Sequence, residues 1–477
     1  MNDDPTTMSA HALAEAIRTR RVSSEEVVAA HLARIDEINP VVNAIVSYRP
    51  EEALAAARER DRELAAGVLR GPLHGVPTAV KDLMDVAGLP TSHGSLVYRD
   101  NVATADSVIS ARLRSAGVVF VGKTNTPEFG AGSHTFNEVF GATRNPYDLT
   151  RSAGGSSGGA AAAVTTGMLP VADGSDLGGS IRNPASFGNL VGLRPTAGRV
   201  ASARPGNAWD PGSVLGALSR DVTDTALMLS VIAGPEPRAP LSIDEDPALF
   251  LSLAPRSFRG ARIAFSPDFG GLPLDPEVRA ATRAAADLAA GLGAEVVETD
   301  IDLSEADEVF ETFRSLEFLD GHGEDAVRHP DLVKKTVRDD VAWAAEIDAA
   351  RMMRAAGART RLFRRFQALF DDYDLVLGPT SQVLPFPLEW EYPAEVDGVA
   401  MERYYTWQRS CSRITATAMP ALSMPAGFSG TGLPIGVQFV GPYRGDRLLL
   451  EYGLSWESAV ADVMSRRPRL GVGAERP

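Results

Sequence analysis

Apolar positions along this chain alternate between two periods. Ser23-Ser24-Glu25-Glu26 precedes VVAAHLARIDEI, whose apolar residues fall at helical spacing. Hydroxyls and acids at that start suit the positive end of a helix and offer acceptors to its unpaired amides. Pro50 to Ala66 predicts a second helix, alanine-rich with alternating charges. Val76, Ala79 and Val80 then read as a short apolar strand ending at Lys81. VISARLRSAG (Val108 to Gly117) predicts a helix stopped by glycine, and VVFVGKTN (Val118 to Asn125) a buried strand leaving at a turn. AAAAVTTGM and LPVADG repeat the pattern, and DTALMLSVIAG adds a helix near 224–234. ARIAFSP (261–267) predicts a strand; 276–300 predicts a long helix, a glycine stop and another strand. DLVLGPTS (374–381) and LPIGVQFVG (433–441) read as buried strands. This alternation predicts an α/β fold around one large mixed β-sheet, with helices on both faces.

Pro235 to Asp246 (PEPRAPLSIDED) is a polar, proline-rich connector, read as a surface loop inside one domain that spans residues 1–477. No internal repeat interrupts the chain. A formal net charge of −15 repels nucleic acid and anionic membranes, so neither is expected as a partner. The single cysteine, Cys411, allows no intramolecular disulfide and suits a reducing compartment. The N-terminus, MNDDPTTMSA, lacks the basic and apolar regions of a signal peptide. No stretch approaches the roughly 18 apolar residues of a membrane span, so a cytoplasmic location is expected. The seven histidines form no metal-ligand pattern, and neither metal nor organic cofactor is expected.

Two motif matches are present, the first contradicted by its context and the second, a serine esterase on Ser156, kept as an alternative. Gly117 to Thr124 fits the phosphate-loop pattern, but its variable positions are Val-Val-Phe-Val, which is itself a strand. Gly154-Gly155-Ser156-Ser157-Gly158 fits the nucleophile elbow of α/β hydrolases. A serine esterase built on Ser156 would need a later histidine, and His322 and His329 sit in a charged, solvated-looking stretch. Cys411 reads as a buried thiol. Three residues remain. Lys81 follows an apolar strand, and a desolvated lysine can act as a base near neutral pH. A surface pairing of Lys81 with Asp82 is the plainer reading of the local sequence. Ser156 and Ser180 are hydroxyls in glycine-rich surroundings. The two glycines before Ser180 let successive amides turn toward one point, as an oxyanion requires, or else form an ordinary turn.

Taken together these segments resemble the amidase signature family. GGSSGG stands at Gly154 to Gly159, and G-S-D-x-G-G-S-I-R-x-P at Gly174 to Pro184. The lysine segment occupies Gly75 to Asp82. MPALSMPAGF (Met419 to Phe428) and GLPIGVQFVGP (Gly432 to Pro442) resemble the family's closing segments. The resemblance implies an amidase signature fold, with N-terminal helices at 1–70, a signature core at 75–200 and a variable pocket-forming region at about 305–415. It implies a catalytic triad: Ser180 as nucleophile, Ser156 (after a cis peptide bond from Gly155) as proton relay, and Lys81 as base. The amides of Leu177, Gly178, Gly179 and Ser180 would form the oxyanion hole. Asp176 and Arg182 would brace the loop, and Ser157 the hydrogen-bond network.

The activity implied is hydrolysis of a small-molecule carboxylic amide, with aryl amides and carbamates the favoured classes and an acyl-enzyme as intermediate. The alternative within the family is the A subunit of a tRNA-dependent amidotransferase. The segment after GLRPT lacks the tyrosine-glycine-rich stretch of that branch, which argues against it. A homodimer is left open. Substrate contacts are expected from Gly130, Ala131, Gly132 and Ser133, from Trp209, and from Tyr404 and Trp407 as rim aromatics. Arg403, Arg409 and Arg413 are the candidates for reading a substrate carboxylate.

Overall fold

Helix Ser24–Val42 begins at the expected cap: Ser23 Oγ accepts the Glu26 N–H at 3.1 Å, and the Glu26 carboxylate accepts the Ser23 N–H at 2.8 Å. It runs past Ile38 and through Pro40, ending at Asn43 in the left-handed conformation. The computed structural model describes residues 4–203 and 206–470. Arg204 and Pro205, in the segment after GLRPT, lie outside the described residues.

An eight-stranded mixed sheet forms the centre. Its order is Glu295–Glu298, Arg262–Phe265, Leu375–Pro379, Pro434–Val440, Ala421–Phe428, Val191–Arg194, Val214–Ser219 and Val171–Asp176. The first three strands are mutually parallel and every later neighbour is antiparallel. Side chains alternate across it. Leu375 and Leu377 join a core with helices Val222–Ile232, Pro276–Gly291 and Asp446–Ala459, whereas Val376 faces helices Ala306–Arg328, Ala349–Ala368 and Arg409–Ala416. Helices therefore cover both faces, as the α/β pattern predicts.

The large mixed sheet is as expected, but it does not hold every predicted strand. Pro77–Lys81 and Val119–Thr124 pair in parallel in a separate three-stranded sheet with Ile45–Val46. Side chains, not ladder bonds, join it to the edge of the large sheet. Thr78 Oγ1 donates to the Val171 carbonyl at 2.9 Å, and the Lys81 N–H donates to Asp173 Oδ1 at 3.0 Å. The Pro235–Asp246 connector has no helix or strand and is tied down where the Ile243 N–H reaches the Gly198 carbonyl at 3.0 Å. No helix among the described residues is long and apolar enough to cross a membrane.

Candidate active site

The seam between the two sheets brings three distant segments together. In strand Val171–Asp176 the period-two alternation puts Asp173 and Ser175 on one face, toward Lys81. Lys81 is fully buried, and its Nζ lies 2.7 Å from Ser156 Oγ, 2.9 Å from Ser157 Oγ and 2.9 Å from Ser175 Oγ. Three oxygens suit either an ammonium donating three bonds or a neutral amine donating two and accepting the third. Burial brings the Lys81 pKa down to about 7, against the opposing pull of Asp173 and Asp176. The surface pairing with Asp82 does not occur. Asp82 lies 3.6 Å from Lys123, a second buried lysine that donates to the Met84 carbonyl and to Thr91 Oγ1. Those contacts also leave Lys123 no role at a phosphate.

The Gly155–Ser156 peptide bond is cis. A Cβ on Gly155 would stand 2.8 Å from His134 N and from the Ser133 carbonyl carbon, so only glycine fits against that backbone. Ser156 is 2 % exposed and Ser180 partly exposed, so the polar chain runs from the surface inward to Lys81. Among the described residues no hydrogen bond joins the Ser156 and Ser180 hydroxyls. Their loops meet through the backbone instead, where the Ser157 N–H donates to the Ser180 carbonyl at 3.1 Å.

Asp176 folds the loop around Ser180. Its carboxylate accepts the N–H groups of Gly179 (2.9 Å), Ile181 (3.1 Å) and Arg182 (3.3 Å), and the Arg182 guanidinium at 2.9 and 3.0 Å. Arg194 binds the Asp176 carbonyl and lies 3.5 Å from its carboxylate. Burial would raise this carboxyl, but Arg182 and Arg194 outweigh it and hold it well below the usual range. The Gly179 amide is thus committed to Asp176, unlike the free donor expected for it. The amides of Gly178 and Ser180 carry no such partner among the described residues. Behind the loop, Cys411 is fully buried, its thiol pushed up to about 12 by burial. Its Sγ would lie 3.0 Å from a Cβ on Gly179, so it fills space behind the turn.

The amidase family model matches residues 26–450. This chain belongs to the amidase family. It is 34 % identical to an acylamidase from Rhodococcus erythropolis, across 97 % of both chains. It is 35 % identical to the A subunit of a glutamyl-tRNA(Gln) amidotransferase from Moorella thermoacetica, across 98 % of this chain and 99 % of the other. Among solved structures it superposes on a bacterial aryl acylamidase of the amidase signature enzymes with TM-score 0.89, at 28 % identity over 97 % of this chain and 99 % of that one. A 6-aminohexanoate cyclic dimer hydrolase matches with TM-score 0.84, at 29 % identity over 98 % and 100 %. The amidase signature fold and an amide-cleaving enzyme follow from the resemblance.

The amidase pocket departs from several expectations. Trp407 is fully buried, stacked on Phe187 with ring centroids 6.1 Å apart, and its indole donates to Ser133 Oγ at 2.7 Å. Ser133 Oγ in turn donates to the Tyr404 carbonyl at 2.8 Å. Ser133 and Trp407 therefore bind each other, and Tyr404 is a buried residue whose hydroxyl takes the Arg314 guanidinium. Neither aromatic lies on a rim, because apolar neighbours from distant segments close over both. Trp209 stands 70 % exposed on a loop anchored where the Asn207 N–H meets Asp320. Arg409 and Arg413 pair with Asp307 at 3.4 and 2.8 Å, and Arg403 donates to the Tyr405 hydroxyl at 2.8 Å. All three are engaged within the protein.

Gly130 does reach the site: a Cβ there would lie 3.5 Å from Ser156 Oγ. Ala131 is buried beside Phe129 and Phe318, and Gly132 packs on Pro127. Sequence reasoning missed Ser175 and Asp173, and named no pocket residue on helix Ala306–Arg328 within the pocket-forming region expected at about 305–415. That helix brings Phe310 against Gly178 and His322 onto Phe129, the latter pair stacked at 4.1 Å. The alternation in VADGSD would have exposed Ser175 and Asp173; nothing local marks Phe310.

Proposed function

We propose that this amidase hydrolyses small carboxylic amides through an acyl-enzyme on Ser180. The observation that carries the reading is the fully buried Lys81 Nζ 2.7 Å from Ser156 Oγ. Neutral Lys81 takes the Ser156 proton as Ser156 takes that of Ser180, and Ser180 Oγ attacks the carbonyl carbon. Substrate binding brings the two hydroxyls into contact, since catalytic hydrogen bonds often tighten only in the complex. The resulting oxyanion accepts from the amides of Leu177, Gly178 and Ser180. The Gly179 amide, held by Asp176, keeps the loop in shape. As the C–N bond breaks, Lys81 returns its proton through Ser156 to the leaving amine. Water then opens the ester by the same route in reverse.

Phe129, Phe318, Leu177 and Phe310 lie around the loops that carry Gly130 and Gly178. Such a wall favours an aryl or bulky apolar acyl or amine group, and the likeness to an aryl acylamidase agrees. A second reading rests on the 35 % identity to the amidotransferase protein. Under it, the chain acts only within a complex.

The test incubates the purified wild type and Ser180→Ala with a p-nitroanilide and a panel of aliphatic and aryl amides. Turnover by wild type alone supports a self-sufficient hydrolase. Silence, with Ser180 still labelled by a fluorophosphonate, favours action within a complex. Turnover by Ser180→Ala, or a label on Ser156, removes Ser180 as nucleophile.

A further inference from the structure

Lys81 gains a proton each time Ser180 attacks, and a buried ammonium needs an opposing charge. Two carboxylates act on it among the described residues, Asp173 and Asp176 on strand Val171–Asp176, and Asp173 also feels Lys123 on strand Val119–Thr124. Asp82 lies against Lys123 at 3.6 Å. Asp176 is enclosed by Arg182 and Arg194. Asp173 makes no ion pair among the described residues. It is 1 % exposed, and its Oδ1 accepts the main-chain N–H of Lys81 at 3.0 Å. Its Oδ2 is buried and has no hydrogen-bond partner among the described residues. An unsatisfied oxygen of that kind is costly to bury, and points to a role for the charge itself.

We propose that Asp173 is a positioning residue that acts through Lys81, pinning the strand end that carries the base and supplying the counter-charge to the ammonium it becomes. The inference rests on Lys81 being the base. The proton passes from Ser180 through Ser156 to Lys81 Nζ; Asp173 takes none and remains a carboxylate. Burial raises the Asp173 pKa to about 6, opposed by the Lys81 N–H and Lys123, so Asp173 is ionised where Lys81 begins to lose its proton. Because a carboxylate favours the ammonium, losing its charge lowers the Lys81 pKa.

Asp173→Asn keeps an oxygen for the Lys81 N–H and removes only the charge. Its acid limb in kcat/KM is expected to move about one pH unit lower, with a plateau about tenfold below wild type. The fluorophosphonate labelling rate of Ser180 should show the same displacement without substrate, and Asp173→Glu should move the limb back toward wild type. A folded Asp173→Asn with the wild-type limb and plateau overturns the proposal. So does an activity loss with an unmoved limb, which would mark a structural role. Should Asp173→Asn not fold, Asp173→Ser is read in the same way. Turnover by Lys81→Met would instead defeat the assignment of the base.

Discussion

Lys81→Met is expected to stabilise the protein while ending its chemistry. Burial takes the ammonium from its ordinary 10.5 to about 7. At 1.36 kcal/mol per pH unit, that gap costs the folded state roughly 5 kcal/mol, in full below pH 7. Between pH 7 and 10.5 the unfolded chain binds more protons than the folded one, so the wild type gains stability as pH rises through that window. Methionine fills a similar volume without charge. It forfeits the three hydrogen bonds to Ser156, Ser157 and Ser175, about 1 kcal/mol each. Some of that returns as the hydroxyls re-pair, since Ser157 Oγ already reaches the Ser175 carbonyl at 3.4 Å. The net is a gain of about 2 kcal/mol at pH 7, vanishing at about pH 8.8 and becoming a loss of about 1 kcal/mol by about pH 9.5. Urea unfolding of both proteins at these three pH values measures it. A variant less stable at pH 7, or a difference that ignores pH, refutes the reasoning.

Three further outcomes are expected. The wild-type kcat/KM should rise with pH through about 7 and fall tenfold per unit below it, because protonated Lys81 is no base; a profile flat down to pH 5 contradicts this. Asp176→Asn strands the buried Arg182 and Arg194 without a counter-charge and should cost about 3–5 kcal/mol in urea unfolding, along with activity. Gly155→Ala drives a methyl into the backbone of Ser133 and His134 and should abolish turnover; near-normal turnover would show that this backbone can yield.

Short-range features of the sequence determined the elements and the chemistry on offer. The Ser23–Glu26 cap and the glycine that ends helix Val108–Ser115 are settled within four residues, so composition and period suffice to place them. The hydroxyls of 156 and 180 and the lysine at 81 stand in short, glycine-rich or apolar segments that advertise a reaction. Pairing was decided elsewhere. Asp82 is the neighbour of Lys81 in sequence but the partner of Lys123 in space, because adjacent strand-end residues point to opposite sides. Trp407, Tyr404 and the arginines at 403, 409 and 413 read alike as rim or interior until distant segments close over them. The strength of the base is the clearest case. Lys81 meets its hydroxyl partners across 75, 76 and 94 residues, and only their convergence removes the water that would keep it charged.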